Sequence, residues 1–254
     1  MSSNTQNKVV AFIPARAGSV RVPDKNIRML AGHPMMAYSI VAAINADIFS
    51  DVIVCTDSAK YADIAMHYGA EVPFLRSTQI SGEKSPDIEW VKFALAELQK
   101  KGRYYEYFSI LRPTSPFRQP ETIKRAWSQM KSNPKADTLR AIEKCTQHPG
   151  KMWKVENDQI KPIMPYEIDG QPWHSNQYSN LPEIWVQNAS LEIARTSVVD
   201  DLGKITGDFI IPFFTKAFEG HDINSEDDFE WANTAVEKDK AILPSIDIQA
   251  FTAS

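Results

Sequence analysis

Short, wholly apolar runs alternate along this chain with longer stretches whose apolar positions recur every three or four residues. Val9-Val10-Ala11-Phe12-Ile13, closed by Pro14, is the pattern of a strand buried on both faces of a parallel sheet. Val52-Ile53-Val54-Cys55-Thr56 predicts a second such strand and residues 72–75 a third, shorter one. Residues 107–111 and 138–142 predict two more, and 185–194 return to strand character. Between them, Met36, Ile40, Ala43 and Ile44 fall at helical spacing, and a helix over 59–68 stops at Gly69, which suits a left-handed terminus. Pro86-Asp87 opens a helix whose Ile88, Val91, Leu95 and Leu98 form one stripe; helices over about 120–132 and 227–237 complete the series. Strand alternating with helix means an α/β chain with a mostly parallel sheet. Residues 147–184 break the regime: rich in Pro, Trp, Tyr and Asn, they keep no period and predict an irregular insertion in an otherwise single domain of 1–254.

Composition narrows the classes of function. At 254 residues, 43% hydrophobic and 24% charged, the chain can bury a core of ordinary size. A net charge of −4 argues against a dedicated nucleic-acid or anionic-membrane binder, so any phosphate must be met by a few local cations. Cys55 and Cys145, the only cysteines, stand far apart with no zinc-type spacing around them. The polar start and the brevity of the apolar run after it match neither a signal peptide nor a membrane span, which leads to the expectation of a cytoplasmic protein.

The segment after the first strand holds the most chemistry. Pro14-Ala15-Arg16-Ala17-Gly18-Ser19-Val20-Arg21-Val22-Pro23-Asp24-Lys25-Asn26 joins a small flexible pair, Gly18-Ser19, to three cations, Arg16, Arg21 and Lys25. Backbone N–H groups that turn toward an anion, with cations around them, make a polyphosphate cradle. The loop is neither a Walker loop, which ends in Gly-Lys-Ser/Thr, nor a dinucleotide fingerprint with paired glycines.

In this loop the chain resembles the acylneuraminate cytidylyltransferases, the family that activates acidic sugars as CMP esters. Further motifs follow in family order: Cys55-Thr56-Asp57, Leu111-Arg112-Pro113-Thr114-Ser115-Pro116-Phe117-Arg118, His148-Pro149-Gly150-Lys151, Gln187-Asn188-Ala189-Ser190 and Asp222-Ile223-Asn224-Ser225-Glu226-Asp227-Asp228-Phe229. The resemblance implies a Rossmann-like nucleotidyltransferase fold. It implies attack by the anomeric hydroxyl of a sialic or legionaminic acid-like sugar on the α-phosphorus of CTP, with pyrophosphate released. In such transfers the protein aligns substrates and neutralises charge. Arg16, Lys25 and Asp222 would carry the catalysis. Ala15, Arg16, Gly18, Ser19 and Lys25 would hold the triphosphate, Asn26 the nucleotide, and Arg76 the base or ribose. Mg²⁺ would sit on Asp222 and Asn224, while Asp57 is a second acidic residue for the metal side. Arg112, Lys151 and Asn188 would face the sugar, and a homodimer would form through residues 147–184.

Three departures from the sialate pattern fall on the sugar side. Arg112 stands where those enzymes usually have Gln, Asn188-Ala189-Ser190-Leu191-Glu192 replaces Asn-Gly-Ala-Ile-Tyr, and an arginine before Leu181-Pro182 is missing. The metal motif, commonly Asp-Ile-Asp, has lost one carboxylate at Asn224. The alternatives kept open are activation of another acid, such as 3-deoxy-manno-octulosonate, and a non-catalytic nucleotide-binding protein of the same fold.

Overall fold

The computed structural model of the chain describes residues 8–18, 22–82 and 84–252. Its centre is a six-stranded sheet made of β1 (Val9–Pro14), β2 (Asp51–Cys55), β3 (Tyr107–Ile110), β4 (Thr138–Lys144), β5 (Trp185–Arg195) and β6 (Ile210–Phe214), in the order β6-β4-β5-β3-β1-β2. Six helices accompany it: α1 (Met35–Asn45), α2 (Ala59–His67), α3 (Asp87–Lys100), α4 (Pro120–Lys131), α5 (Thr196–Leu202) and α6 (Glu226–Glu237). β1 pairs in parallel with both β2 and β3, whereas β5 runs antiparallel to β3. Alternate residues of β1 feed two separate cores, as a doubly covered sheet demands: Val9, Ala11 and Ile13 pack with α1, α2 and α4, and Val10 and Phe12 pack with α3. Phe12, Ile13 and Ile53 have no exposed surface, which stabilises the fold by about 1.5–3 kcal/mol for each side chain.

The expected strand at 72–75 does not form. Pro73 has no N–H to give a ladder, so pairing beside β2 stops at a single bridge between Ile53 and Glu71, and the chain continues extended to Arg76, whose N–H donates to the Thr56 carbonyl. The periodic reading also passed over α5 and β6. β6 reads Ile-Ile-Pro-Phe-Phe and lies at a sheet edge, the position where a strand tolerates proline.

Contacts divide the chain into two units, one of residues 1–141 and 188–254, the other of 142–187. The second is not structureless. It contains an antiparallel hairpin, Trp153–Glu156 with Gln159–Pro162, and a two-residue pair, Glu167–Ile168 with Gln171–Pro172. Both turn on residues with positive φ, Asn157-Asp158 and Asp169-Gly170, which supply the twist that tight hairpins need. Trp173 lies against the buried His148 and the exposed Tyr166 at ring-centroid distances of 5.4 and 4.9 Å.

One side chain in the first unit ties three elements together. Arg118 is 1% exposed and meets no carboxylate. Its guanidinium donates to the Ser39 hydroxyl of α1 at 2.8 Å, to the Arg112 carbonyl at 3.4 Å and to the Ser190 carbonyl of β5. Arg118→Met should lower unfolding free energy by about 2 kcal/mol, since these carbonyls would lose a charged donor. Urea denaturation measures the loss, and an unshifted midpoint would show that the clamp is dispensable.

Candidate active site

Because β1, β2 and β3 are parallel, their carboxyl ends reach the same edge of the sheet, and the residues that follow each of them converge there. Arg16 follows β1, Asp57 follows β2 and Arg112 follows β3. The first loop is anchored at each stage. The N–H of Ala15 donates to the Cys55 carbonyl at 3.0 Å and that of Ala17 to Asp57 Oδ1 at 2.8 Å. Asn26 Nδ2 donates to the Arg16 carbonyl at 3.1 Å, and the Tyr61 hydroxyl donates to Asp24 Oδ1 at 3.0 Å. Gly18 takes φ of 78°, a conformation open to glycine without strain. Asp57 is therefore a tether of the loop, and the cap of α2 is Ser58, whose hydroxyl accepts from the Tyr61 N–H. Ser19 and Arg21 lie outside the described residues.

A cleft of about 330 Å³ opens at this edge, lined by Arg16, Lys25, Asn26, Arg76, Arg112, Asp222 and Asn224 together with Ser81, Ser85, Asp87 and Trp90. Four cations here face two carboxylates, in a chain whose net charge is −4. Arg76 is the most telling. It is only 6% exposed, its Nε and Nη2 are buried without a hydrogen-bond partner, and burial pulls its pKa below the usual guanidinium value. A desolvated cation with unspent donors beside a cleft is a receptor for an anion or for carbonyl groups that enter it. Arg16 is steadied by a 3.3 Å bond from Nη1 to the Ser81 carbonyl.

Asp222 and Asn224 come from the turn before α6. Ile223, fully buried with Phe117 and Phe229, holds the turn, and its N–H donates to the Thr114 carbonyl at 2.8 Å. The helix starts with a reciprocal cap: Ser225 Oγ accepts from the Asp228 N–H, and Asp228 Oδ2 accepts from the N–H groups of Ser225 and Asn224. Asp222 Oδ1 is buried without a partner, while Oδ2 accepts from Asn224 Nδ2 at 2.5 Å.

Arg112 lines the cleft, but its Nη2 is already shared between Asp87 of α3 and Glu192 of β5, the latter at 3.3 Å. Glu192, 4% exposed, also pairs with Arg140 at 3.0 Å. Two departures from the sialate pattern, Arg112 and Glu192, are thus one ion-pair unit. Burial alone would raise the Asp87 pKa, yet the Arg112 charge and the hydrogen bonds from Arg112 and Trp90 outweigh it and hold the carboxyl below its ordinary range.

Asn188 does not line the cleft. Its Nδ2 donates to Thr215 Oγ1 at 2.8 Å and its Oδ1 accepts from the Ser190 N–H at 3.2 Å, so it shapes the strand end that brings Ala189 to the cleft wall. Lys151 belongs to the 142–187 unit, where its ammonium donates to the carbonyls of His174 and Asn176. Asp87 appeared in the sequence only as a helix start, and Glu192 and Arg118 only inside quoted motifs, none of them with a role in the site. Arg118 had a signal in the Arg-Pro-Thr-Ser-Pro-Phe-Arg motif; the other two are ordinary strand and helix-start carboxylates until the fold brings Arg112 to them.

A cationic cleft at the carboxyl edge of a mostly parallel sheet lies where open α/β folds bind their ligands. The chain belongs to the cytidylyltransferase family, whose pattern matches residues 10–160. It is 45% identical over 119 residues to the CMP-N,N'-diacetyllegionaminic acid synthase of Legionella pneumophila, covering 47% of this chain and 51% of that protein. It is 42% identical over 113 residues to the N-acylneuraminate cytidylyltransferase of Escherichia coli, covering 44% and 26% respectively. The aligned stretch thus spans about half or less of these curated relatives. The fold is like that of a solved CMP:2-keto-3-deoxy-manno-octonic acid synthetase complexed with CTP, at a TM-score of 0.66 and 13% identity, covering 91% of this chain and 99% of that one. Among the described residues no helix is long and apolar enough to cross a membrane.

The ion pair makes a pH prediction. With its folded pKa depressed, Asp87 contributes stability that is complete above the unfolded carboxylate value and is lost as pH falls through the folded one. Asp87→Asn should be less stable at neutral pH and lose part of the decline that sets in below about pH 4. Urea midpoints across that range test it; an identical acid slope in the variant would assign the decline to other carboxylates.

Proposed function

We propose that this protein is a CTP-dependent cytidylyltransferase that activates an acidic sugar of the nonulosonate type, giving the CMP-sugar and pyrophosphate. The observation that carries the proposal is the buried, unpartnered guanidinium of Arg76 in one cleft with Arg16 and Lys25, at the edge where three parallel strands end. The sugar class is supported by the 45% identity to a legionaminic acid-activating relative. In the reaction the anomeric oxygen bonds to the α-phosphorus, the bond from that phosphorus to the bridging oxygen breaks, pyrophosphate leaves with the electron pair, and the hydroxyl proton passes to solvent or to a phosphate oxygen.

The residues take roles that fit their placement. Arg16 and Lys25, with the backbone of Gly18, hold the polyphosphate and neutralise the charge that gathers on the leaving group. Asn26 keeps the loop in shape through the Arg16 carbonyl, and Arg76 lies toward the base or ribose. On the sugar side, Arg112 reaches the acid through donors other than Nη2. A magnesium ion fits the chemistry of the turn before α6: Asp222 offers one hard oxygen that no protein group uses, and magnesium needs only one or two carboxylates when phosphates and water fill the rest. Bound there, the ion would withdraw charge from the phosphates. That unused oxygen also favours catalysis over the non-catalytic alternative. The protein would work in the cytoplasm as a homodimer built through residues 147–184, a reading supported by the exposed Val155, Ile160, Ile163 and Tyr166 of that unit.

Pyrophosphate release with CTP and a panel of nonulosonic acids and 3-deoxy-manno-octulosonate should be fastest with a nonulosonate. Arg16→Ala and Lys25→Ala should each cut turnover by about a hundredfold or more. Arg112→Ala should raise the Michaelis constant of the acid far more than that of CTP. Absence of release across the whole panel, or full turnover in both loop variants, would refute the proposal.

A further inference from the structure

The turn that carries Asp222 holds a second residue whose role differs from a ligand's. Asn224 Nδ2 donates to Asp222 Oδ2 at 2.5 Å, and Asn224 Oδ1 accepts from the Lys25 ammonium at 3.4 Å; the same ammonium donates to the Ile223 carbonyl at 3.2 Å. The orientation of this amide is not arbitrary. A carboxylate can only accept and an ammonium can only donate, so the amide nitrogen must face Asp222 and its oxygen must face Lys25. The backbone beneath is held by the bond from the Asn224 N–H to Asp228 Oδ2 at 2.9 Å and by the buried Ile223. Asn224 therefore bridges a cation and an anion, and it occupies Oδ2 of Asp222 while Oδ1 stays buried and unpartnered.

We infer that Asn224 is a positioning residue that insulates Asp222 from Lys25 and leaves one carboxylate oxygen for a divalent cation, so that the cation binds well only with the nucleotide. This deepens the proposed function and rests on it for the nucleotide's arrival. The argument is one of charge. Without nucleotide, the single charge of Asp222 lies in a cleft with Arg16, Lys25 and Arg76, a poor environment for a divalent ion. A triphosphate reverses the local balance and adds oxygen ligands, so cation and nucleotide must each strengthen the binding of the other by the same factor. An aspartate at 224 would supply the second negative charge itself and uncouple the two. An alanine would remove the insulator and let Lys25 close on Asp222.

The test uses the full chain, Mn²⁺ followed by its electron paramagnetic resonance signal, and CTP without sugar. In the unaltered protein CTP should tighten Mn²⁺ binding at least about tenfold beyond its own affinity for the ion. Asn224→Asp should raise nucleotide-free Mn²⁺ affinity by about ten- to a hundredfold and shrink the CTP effect. Asn224→Ala should weaken Mn²⁺ binding with and without CTP, and provides the measurement if the aspartate variant does not fold. Unchanged nucleotide-free affinity in Asn224→Asp, or undiminished Mn²⁺ binding in Asn224→Ala, would overturn the inference. Failure of CTP to bind, read separately by calorimetry, would instead count against the proposed function, while the nucleotide-free comparison would still decide the role of Asn224.

Discussion

The cleft depends on a buried charge that has no counter-charge. Arg118 is sealed between α1, the loop after β3 and β5, where burial lowers its pKa to about 9. Only neutral oxygens meet it, from Ser39, Arg112 and Ser190. A guanidinium in that position is costly unless its donors are used, and its planar fork can reach several acceptors at once. Nε stays without a partner, while the acceptors that the two Nη atoms reach come from α1, the loop after β3 and β5. The carbonyl it grips at Arg112 sets the backbone from which that side chain reaches Asp87 and Glu192, and the carbonyl at Ser190 sets the strand end on which Glu192 stands.

Around this clamp the charges divide into two kinds. Arg112, Asp87, Glu192 and Arg140 form a compensated chain in which every member has a partner of opposite sign. Arg76 has no ion-pair contact among the described residues: Asp57 and Asp87 act on it only at a distance, and its Nε and Nη2 are buried without an acceptor. The two kinds do different work. A compensated network in a low-dielectric wall holds geometry and contributes little net field, whereas an uncompensated cation keeps an attraction that only an incoming ligand can satisfy. That division concentrates positive charge in the cleft of a chain whose net charge is −4, so an anion would be met locally and without a basic surface.

Much of this was legible in the order of residues. The strand at 9–14 announced itself because burial on both faces leaves no polar position, and α2 ended at Gly69 because a φ of 91° there suits glycine. The first loop could be read as an anion cradle because cations and small residues followed a buried strand directly. What could not be read were pairings across long separations. Arg112 is 25 residues from Asp87 and 80 from Glu192, and no local pattern marks either carboxylate as its partner. The strand expected at 72–75 erred for a local reason, since apolar character outweighed Pro73 in the reading. The hairpins of 142–187 were hidden by brevity, although their Asn-Asp and Asp-Gly turns were signals in plain view.

Alignment of two substrates requires that the groups holding them be fixed before either arrives. Here the phosphate loop and the acidic turn come from opposite ends of the chain, 198 residues apart, and meet through Lys25, whose ammonium donates to the Ile223 carbonyl. A second tie lies beside it: Arg28 pairs with Glu226 at 2.5 Å and lies 4.1 Å from the centroid of the Phe229 ring. The first loop therefore cannot shift without disturbing the start of α6, nor can Asp222 move without Lys25.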